Sequence, residues 1–242
     1  MPEIPTPSPP TASAVIACGG TGGHLFPGLA VAEELRRRGC RVTLMVSPKD
    51  VDQHAIGSIS GMGIVTLPAV GLNRGGWISF VVGFWKSYRQ ARKLFAHERP
   101  DVVLAMGGFV SAPPMAAGKL CGARTFLHES NSIPGRANRW LARWVDGAFV
   151  YFSTAQEQLR AKHVEVAGMP VRQQFLLPLT APDARAALGL NPSAPVVLVM
   201  GGSQGASKVN ELALRAVPAL RQAVPDLQFM HLTGTQRKRA VF

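Results

Sequence analysis

The sequence has little cysteine, and its cysteines form no pattern that builds a site. The three residues, Cys18, Cys40 and Cys121, are odd in number and contain no CxxC motif. A disulfide framework and a structural zinc site are therefore both disfavoured. Such sparing use of cysteine is typical of a protein in a reducing cytoplasm.

Acidic residues are also few. The chain has 14 of them against 26 lysines and arginines, which gives a net charge of +12. This excess predicts an anionic partner, which could be nucleic acid, a phosphorylated substrate or an anionic membrane face. Nucleic acid is the weakest of the three, because the basic residues are scattered and form no recognisable platform with aromatic residues.

Long hydrophobic runs are absent. The longest strongly apolar run, residues 77–85, is far shorter than the ~20 residues that cross a bilayer as a helix. Residues 1–13 are rich in proline and lack both the basic and the apolar region of a secretory signal. We expect residues 1–13 to form a disordered extension, and we expect no segment to cross a membrane.

Short apolar runs alternate with helical patterns along the chain. The runs predict strands at residues 14–18, 41–46, 63–67, 102–106, 125–128, 148–151, 164–167, 196–200 and 228–231. Amphipathic stretches between them predict helices at residues 29–38, 86–97, 136–144 and 208–223. Apolar strands that alternate with helices are typical of a parallel sheet covered on both faces. The predicted fold class is therefore α/β, with a doubly wound parallel sheet.

A strand that runs into a Gly-Gly loop and then a helix occurs near residue 14 and again near residue 195. Two such openings predict two Rossmann-like halves. We expect an N-terminal domain over residues 14–167, a linker over 168–182 and a second domain over 183–242. The second half supplies about two strands, against ~5–6 in a doubly wound sheet, so we expect that domain to be partial.

The first Gly-Gly loop, GGTGGH, ends at His24. It matches neither the GxGxxG dinucleotide fingerprint nor the Walker A motif. Its glycine density and the nearby helix start favour a cradle whose backbone N–H groups bind phosphate or sugar hydroxyls. A tight turn packed for its own sake is the alternative. His24 is a candidate general base towards a hydroxyl, although a purely structural histidine is equally consistent with the sequence.

The second Gly-Gly loop, residues 201–206, has the same position relative to its strand. It offers backbone N–H groups and the Ser203 hydroxyl to an anion. Two such loops, one in each half, predict one group of contacts for a leaving diphosphate and another for an acceptor.

Polar residues also follow the strand predicted near residue 125. His128, Glu129 and Asn131 are interpreted as polar ligands, and Glu129 is the second candidate for a base after His24. The HExxH pattern of zinc proteases fails because its last position is serine. Asp50 and Asp52 have the spacing of a metal-binding DxD motif, but a helix start explains acidic residues there better.

An apolar cluster runs directly into a basic helix between residues 77 and 97. The residues that could contact a membrane are Trp77, Phe80, Phe84, Trp85, Lys86 and Arg89. Apolar anchors beside cations favour peripheral contact with an anionic lipid surface. A buried helix start with a solvated basic end explains the same pattern equally well.

Several segments together resemble the MurG family of bacterial peptidoglycan N-acetylglucosaminyltransferases. They are GGTGGHLFPGLAVAEEL, PDVVLAMGGFVS, LHESNSIPGRANRWLAR, AGMPVR and GGSQGA, in the family's order. The resemblance implies a two-domain GT-B fold at the cytoplasmic face of the inner membrane. It also implies inverting transfer of N-acetylglucosamine (GlcNAc) from UDP-GlcNAc to undecaprenyl-pyrophosphoryl-MurNAc-pentapeptide, with no metal and no other cofactor.

The resemblance further implies roles for individual residues. His24 matches the family's catalytic histidine, and the substrate-binding positions match Thr21, Gly22, Gly23, Asn131, Arg172 and Ser203. Two neighbouring positions depart from the family's pattern. Ser130 stands where the family has glutamine, and Met169 stands where it has asparagine.

The family continues past the last residue of this sequence, through a segment that binds uracil, ribose and sugar. We therefore expect the donor half to be incomplete and the activity of the 242-residue chain to be impaired. The alternative, from a different class, is a non-catalytic module that binds an anionic lipid or a nucleotide-sugar through its N-terminal half.

Overall fold

The computed structural model describes residues 12–19, 22–48, 61–68, 76–176, 178–202 and 205–234. The chain divides into two compact units, Met1–Leu176 and Leu177–Phe242. This division falls inside the linker predicted for residues 168–182. The predicted limits of the two domains stay a prediction.

The first unit is built on a seven-stranded sheet. Its strands are β1 (Ser13–Ala17), β2 (Arg41–Val46), β3 (Gly63–Thr66), β4 (Val102–Ala105), β5 (Arg124–Glu129), β6 (Gly147–Val150) and β7 (Val164–Val166). Its described helices are α1 (Gly22–Arg37), α2 (Gly76–His97), α3 (Ala112–Leu120), α4 (Arg136–Leu141) and α5 (Ser153–Gln156), with 3₁₀ turns at Phe109–Ser111 and Gln173–Phe175.

The strands of this sheet are all parallel, in the order β3-β2-β1-β4-β5-β6-β7. β1 lies between β2 and β4, with Ile16 opposite Leu44 on one side and Leu104 on the other. The strand order reverses beside β1, and open α/β sheets bind ligands beyond the carboxyl ends of their strands at such a point. The predicted α/β class is confirmed.

Alternate residues of β1 belong to different cores. Val15 and Ala17 lie in a cluster with residues of α2, α3 and α4, whereas Ile16 and Cys18 lie in a second cluster with residues of α1. Because successive strand side chains point to opposite faces, the two clusters are the two covered faces of the sheet. Helices α2, α3 and α4 therefore form one layer, and α1 covers the opposite face.

Helix α1 begins at Gly22, and not near Leu29 as the hydrophobic pattern predicts. The pattern fails there because glycines have poor intrinsic helix propensity. Tertiary packing overrides this propensity: Leu25 and Leu29 are fully buried in the second cluster. His24 is consequently a residue of the first helical turn, and not the end of a loop.

Helix α2 begins at Gly76, so the apolar cluster predicted before the basic helix is part of the same helix. Gly83, Ser87, Ala91 and Phe95 form its buried side. Over the described ranges, no helix, α2 included, is long and apolar enough to cross a bilayer.

The second unit contains α6 (Ala181–Ala187), β8 (Val196–Met200), α7 (Ser207–Ala223) and β9 (Gln228–Leu232). β8 and β9 are parallel neighbours, with Val196 opposite Gln228. Among the described residues of this unit, the buried ones are Ala194, Asn210 and Leu227. The described part of the second unit therefore has a much smaller core than the first.

Candidate functional site

Several strands of the first unit end at the same edge of its sheet. Since the strands are parallel, the segments that follow β1, β4, β5 and β7 all leave from the carboxyl edge. These segments carry the predicted site residues that are described in this unit: Gly22, Gly23, His24, Asn131 and Arg172. Thr21, Ser203, Asp50 and Asp52 lie outside the described residues.

The segments after β1 and β4 touch through their backbones. Gly19 lies against Gly107 and Gly108, so that a Cβ on Gly19 would collide with the Gly107 carbonyl oxygen. Gly107 itself has a φ of +119°, and a Cβ on it would lie 2.9 Å from Cε1 of His24. Glycine is required at position 107 for both reasons, and the His24 ring lies directly on its backbone.

His24 is half-buried in the first turn of α1. The N–H groups of a first helical turn have no acceptor inside the helix, and they carry the positive end of the helix dipole. An imidazole at this place can accept a proton from a hydroxyl while the adjacent N–H groups face an anion. The geometry is compatible with the predicted general base, whose role stays a prediction.

Glu129, at the end of β5, is a buried carboxylate that accepts four hydrogen bonds. Its Oε1 accepts from the backbone N of Asn131 at 2.9 Å and from Nδ2 of Asn131 at 2.8 Å. Its Oε2 accepts from the backbone N of Gly135 at 2.9 Å and from Nδ2 of Asn138 at 3.0 Å. The free-energy cost of burying this carboxylate is offset by the hydrogen bonds from these four donors.

This network fixes the exposed side chain of Asn131. Because its amide nitrogen is held by Glu129, its carbonyl oxygen is left to accept a hydrogen bond from a ligand hydroxyl or amide. Glu129 is 1% exposed with its oxygens already occupied, which argues against it as the second candidate base. The sequence analysis did not predict that Glu129 accepts these hydrogen bonds. The one available signal was that Asn131 and Asn138 lie close to Glu129 in the sequence.

His128, also in β5, is 4% exposed and pairs through Nε2 with the carbonyl oxygen of Gly168 at 3.0 Å. Burial lowers the pKa of His128, against the opposite effects of the Gly168 hydrogen bond and the Glu129 charge. The neutral ring therefore donates to Gly168 and ties the segment after β7, which leads to Arg172, to the middle of the sheet edge.

Arg172 contacts two aromatic rings. Its guanidinium carbon is 5.0 Å from the ring centroid of Phe26 and 5.1 Å from that of Phe175. Phe26 belongs to α1, two residues beyond His24, so this contact brings Arg172 to the start of α1. Both contacts have cation–π distances, and a guanidinium has five N–H donors with which it can bind an anion. Nothing in the sequence spacing pointed to either phenylalanine.

The second unit has a comparable strand-to-helix turn. Asn210 of α7 donates from Nδ2 to the carbonyl oxygen of Thr233 at 3.0 Å, and its Oδ1 lies 2.9 Å from Nε2 of His231. A Cβ on Gly205 would collide with the same Thr233 carbonyl oxygen. Gly205 and the start of α7 are therefore held close to the end of β9.

The predicted membrane-contact residues divide into two groups. Trp77, Trp85, Lys86 and Arg89 are exposed on α2. Phe84 packs against the first core cluster, and the half-buried Phe80 makes an edge-to-face contact with Phe109 at 5.7 Å. The two phenylalanines thus lie on the inner side of α2, and the tryptophans and cations form its outer surface.

In the described part of the chain, no group of three or more His, Cys, Asp or Glu residues is placed to hold a metal ion. The predicted independence of metal stays a prediction.

Two family models match the chain. The glycosyltransferase family 28 N-terminal domain matches residues 14–150, more than half of the chain, and the glycosyltransferase family 28 C-terminal domain matches residues 196–241. The two matches cover the two predicted Rossmann-like halves and are consistent with the predicted GT-B class.

Curated relatives share one name, UDP-N-acetylglucosamine--N-acetylmuramyl-(pentapeptide) pyrophosphoryl-undecaprenol N-acetylglucosamine transferase. The chain is 36% identical to that of Syntrophus aciditrophicus, over 93% of this chain and 62% of the relative. It is 34% identical to that of Citrifermentans bemidjiense, over 91% of this chain and 61% of the relative. The chain thus spans about three fifths of the length of these relatives.

Solved structures are similar as well. MurG of Acinetobacter baumannii is 26% identical with a TM-score of 0.67, over 93% of this chain and 62% of that one. The glycotransferase of kitacinnamycin, at 18% identity and a TM-score of 0.63, covers 96% of this chain and 68% of its own, and shows the fold alone. The predicted GT-B class and the resemblance to MurG are confirmed by these matches.

Replacing Glu129 by glutamine should destabilise the first unit by about 1–3 kcal/mol, because the new amide group would face two N–H donors. Urea unfolding measures the loss. Glu157→Gln removes the same charge from an exposed side chain and should change the free energy of unfolding by less than about 0.5 kcal/mol. Equal stability of the two variants would contradict the hydrogen-bond network.

The lowered pKa of His128 predicts a loss of stability in acid. As the pH falls below about 6.5, the unfolded chain binds a proton that the folded chain does not, at a cost of up to about 1.4 kcal/mol per pH unit. The loss of stability ends once the pH is below the pKa of His128 in the folded chain, because both states then bind the proton. Urea unfolding at several pH values should show a shallower slope in this window for His128→Gln. The exposed His163→Gln variant is the matched control, and an unchanged slope in His128→Gln would refute the assignment.

Proposed function

Since the chain belongs to glycosyltransferase family 28, we propose that it carries the acceptor side of a peptidoglycan N-acetylglucosaminyltransferase. The substrates proposed are UDP-GlcNAc as donor and undecaprenyl-pyrophosphoryl-MurNAc-pentapeptide as acceptor, as the names of the curated relatives suggest. The observation that carries the proposal is the shared carboxyl edge of the sheet, where the start of α1 contacts the Gly107 backbone and the fixed Asn131 side chain follows the neighbouring strand β5.

In the proposed reaction, a hydroxyl of the muramyl sugar attacks the anomeric carbon of GlcNAc from the side opposite UDP. The new C–O bond forms as the bond to the UDP oxygen breaks, and the electron pair leaves with UDP. His24 accepts the hydroxyl proton as general base. The in-line geometry makes the reaction inverting, and no step is assigned to a metal.

The remaining site residues bind and stabilise charge in this proposal. Asn131 accepts a hydrogen bond from the donor sugar through its free carbonyl oxygen. Arg172, which contacts Phe26 and Phe175, stabilises developing negative charge with its N–H groups, together with N–H groups at the start of α1. Thr21, Gly22, Gly23 and Ser203 are proposed as further substrate contacts on their resemblance to the MurG family.

The outer surface of α2 supports a peripheral contact with an anionic membrane. Trp77 and Trp85 are exposed there, beside the exposed Lys86 and Arg89. Tryptophan is favoured at the interface between water and lipid, and basic residues are attracted to anionic headgroups. We place this contact at the cytoplasmic face of the bacterial inner membrane, where the lipid-linked acceptor would be presented.

The role of His24 can be tested in a chain completed with the part of the Syntrophus aciditrophicus relative that the match leaves uncovered. His24→Ala should lower kcat by about 10²–10⁴-fold and leave UDP-GlcNAc affinity and melting temperature nearly unchanged, because a general base acts in the transition state. The exposed His163→Ala variant serves as control and should retain full turnover.

Normal turnover in a folded His24→Ala protein would end the general-base assignment. Loss of turnover together with donor affinity would make His24 a binding residue. A completed chain that folds but transfers no GlcNAc to the acceptor would contradict the proposed function itself.

A further inference from the structure

Phe26 is an exposed aromatic residue near the start of α1. It is 36% exposed and belongs to neither of the core clusters that the described residues form, whereas Leu25 and Leu29 of the same helix are fully buried. Its ring points back along the helix, because a Cβ on Gly22, one turn earlier, would lie 3.3 Å from Cε2 of Phe26. The missing side chain at Gly22 therefore leaves room for a ring whose position the core does not explain.

The ring of Phe26 instead contacts a cation. The guanidinium carbon of Arg172 lies 5.0 Å from the ring centroid, which is within the range of a cation–π contact. Within the described residues, Arg172 forms no ion pair. A carboxylate partner would compete with an anionic ligand for the guanidinium, and an aromatic ring does not. The contact therefore suits an arginine that must bind an anion.

The second ring on Arg172 has a different structural position. Arg172 precedes the 3₁₀ turn Gln173–Phe175, and its carbonyl oxygen accepts a hydrogen bond from the backbone N of Phe175 at 3.0 Å. Phe175 therefore moves together with Arg172 and cannot fix it relative to another element. Phe26 belongs to α1, whose buried side is packed in the second core cluster. Of the two rings, Phe26 is the one that joins Arg172 to the helix that carries His24.

Such a contact changes what a ligand must do when it binds. An arginine side chain has many rotamers, and immobilising such a side chain on binding costs affinity. A contact that orders the arginine before the ligand arrives removes part of this cost. Donors that are already in place also stabilise charge that develops in a transition state without further reorganisation. A ring can thus contribute to binding and turnover without touching the substrate.

We propose that Phe26 is a positioning residue, which holds the guanidinium of Arg172 beside the start of α1 so that Arg172 and His24 act on the same pair of substrates. The inference rests on the proposed function, in which Arg172 stabilises negative charge on the diphosphate of the departing UDP. Phe26 acts through Arg172, so its contribution should exist only while Arg172 is present.

A double-mutant cycle on the 242-residue chain tests this dependence. Inorganic pyrophosphate, the charged part of the ligand, is titrated into each variant by calorimetry. Phe26→Leu should raise the Kd by about two- to tenfold, because Arg172 must then be ordered on binding. Arg172→Gln should raise the Kd by about tenfold or more. In the Arg172→Gln background, Phe26→Leu should change the Kd by less than about twofold.

Two further variants separate loss of the ring face from a general disturbance. Phe26→Tyr keeps an aromatic face and should retain the parent Kd within about twofold. Phe152→Leu is the matched control: Phe152 is 42% exposed and its ring contacts Tyr151. It should also retain the parent Kd. The melting temperature of Phe26→Leu should stay close to that of the parent, since the ring lies outside both core clusters.

The same cycle can be measured as GlcNAc transfer in the completed chain described above. Phe26→Leu should lower kcat/KM by about two- to tenfold when Arg172 is present, and by less than about twofold in Arg172→Gln. The KM for UDP-GlcNAc should rise and the KM for the acceptor should not, because Arg172 is proposed to meet the donor diphosphate. A rise in the KM for the acceptor alone would overturn the proposal.

The remaining outcomes separate the positioning role from the proposed function. A loss of equal size in both Arg172 backgrounds, or an equal loss in Phe26→Tyr, would make Phe26 a structural residue and overturn the proposal. A parent chain that binds no pyrophosphate would overturn it as well. Coupling to Arg172 in pyrophosphate binding, together with a folded completed chain that transfers no GlcNAc, would support the positioning role and contradict the proposed function.

Discussion

The buried carboxylate of Glu129 holds together the part of the molecule on which the rest of the account depends. Its two oxygens accept from the Asn131 backbone and side chain, from the Gly135 backbone and from Asn138. These bonds fix the segment between β5 and α4, so they set both the Asn131 amide at the sheet edge and the orientation of α4. One internal charge therefore positions a candidate ligand contact on one side and helix α4 on the other.

The sheet separates two kinds of surface, the polar carboxyl edge and the exposed helical layer. Its carboxyl edge gathers His24, Gly107, Asn131 and Arg172, where backbone approach and fixed polar atoms suit a sugar and a diphosphate. The helical layer on one face carries Trp77 and Trp85 and their neighbouring cations on α2. An acceptor that joins a sugar to a long lipid would need both surfaces in one domain, and the proposed function follows from that division.

Much of this arrangement could be predicted from the sequence. Continuous apolar runs predicted the strands, and the Gly-Gly loops predicted a candidate site at the carboxyl edge, because both signals are local. The start of α1 could not be predicted, since burial of Leu25 and Leu29 overrides the weak helix propensity of the glycines before them. The Phe26–Arg172 contact could not be predicted either, because it joins residues far apart in the chain.

The central claim is that the first unit holds the acceptor-binding edge, and calorimetric titration of the 242-residue chain tests it most directly. The titrants are UDP-GlcNAc and a short-chain analogue of the muramyl-pentapeptide pyrophosphoryl-polyprenol acceptor. We predict that the acceptor analogue binds, and that UDP-GlcNAc binds at least about tenfold more weakly, a difference of about 1.4 kcal/mol. Micromolar binding of UDP-GlcNAc without detectable binding of the acceptor analogue would contradict the account.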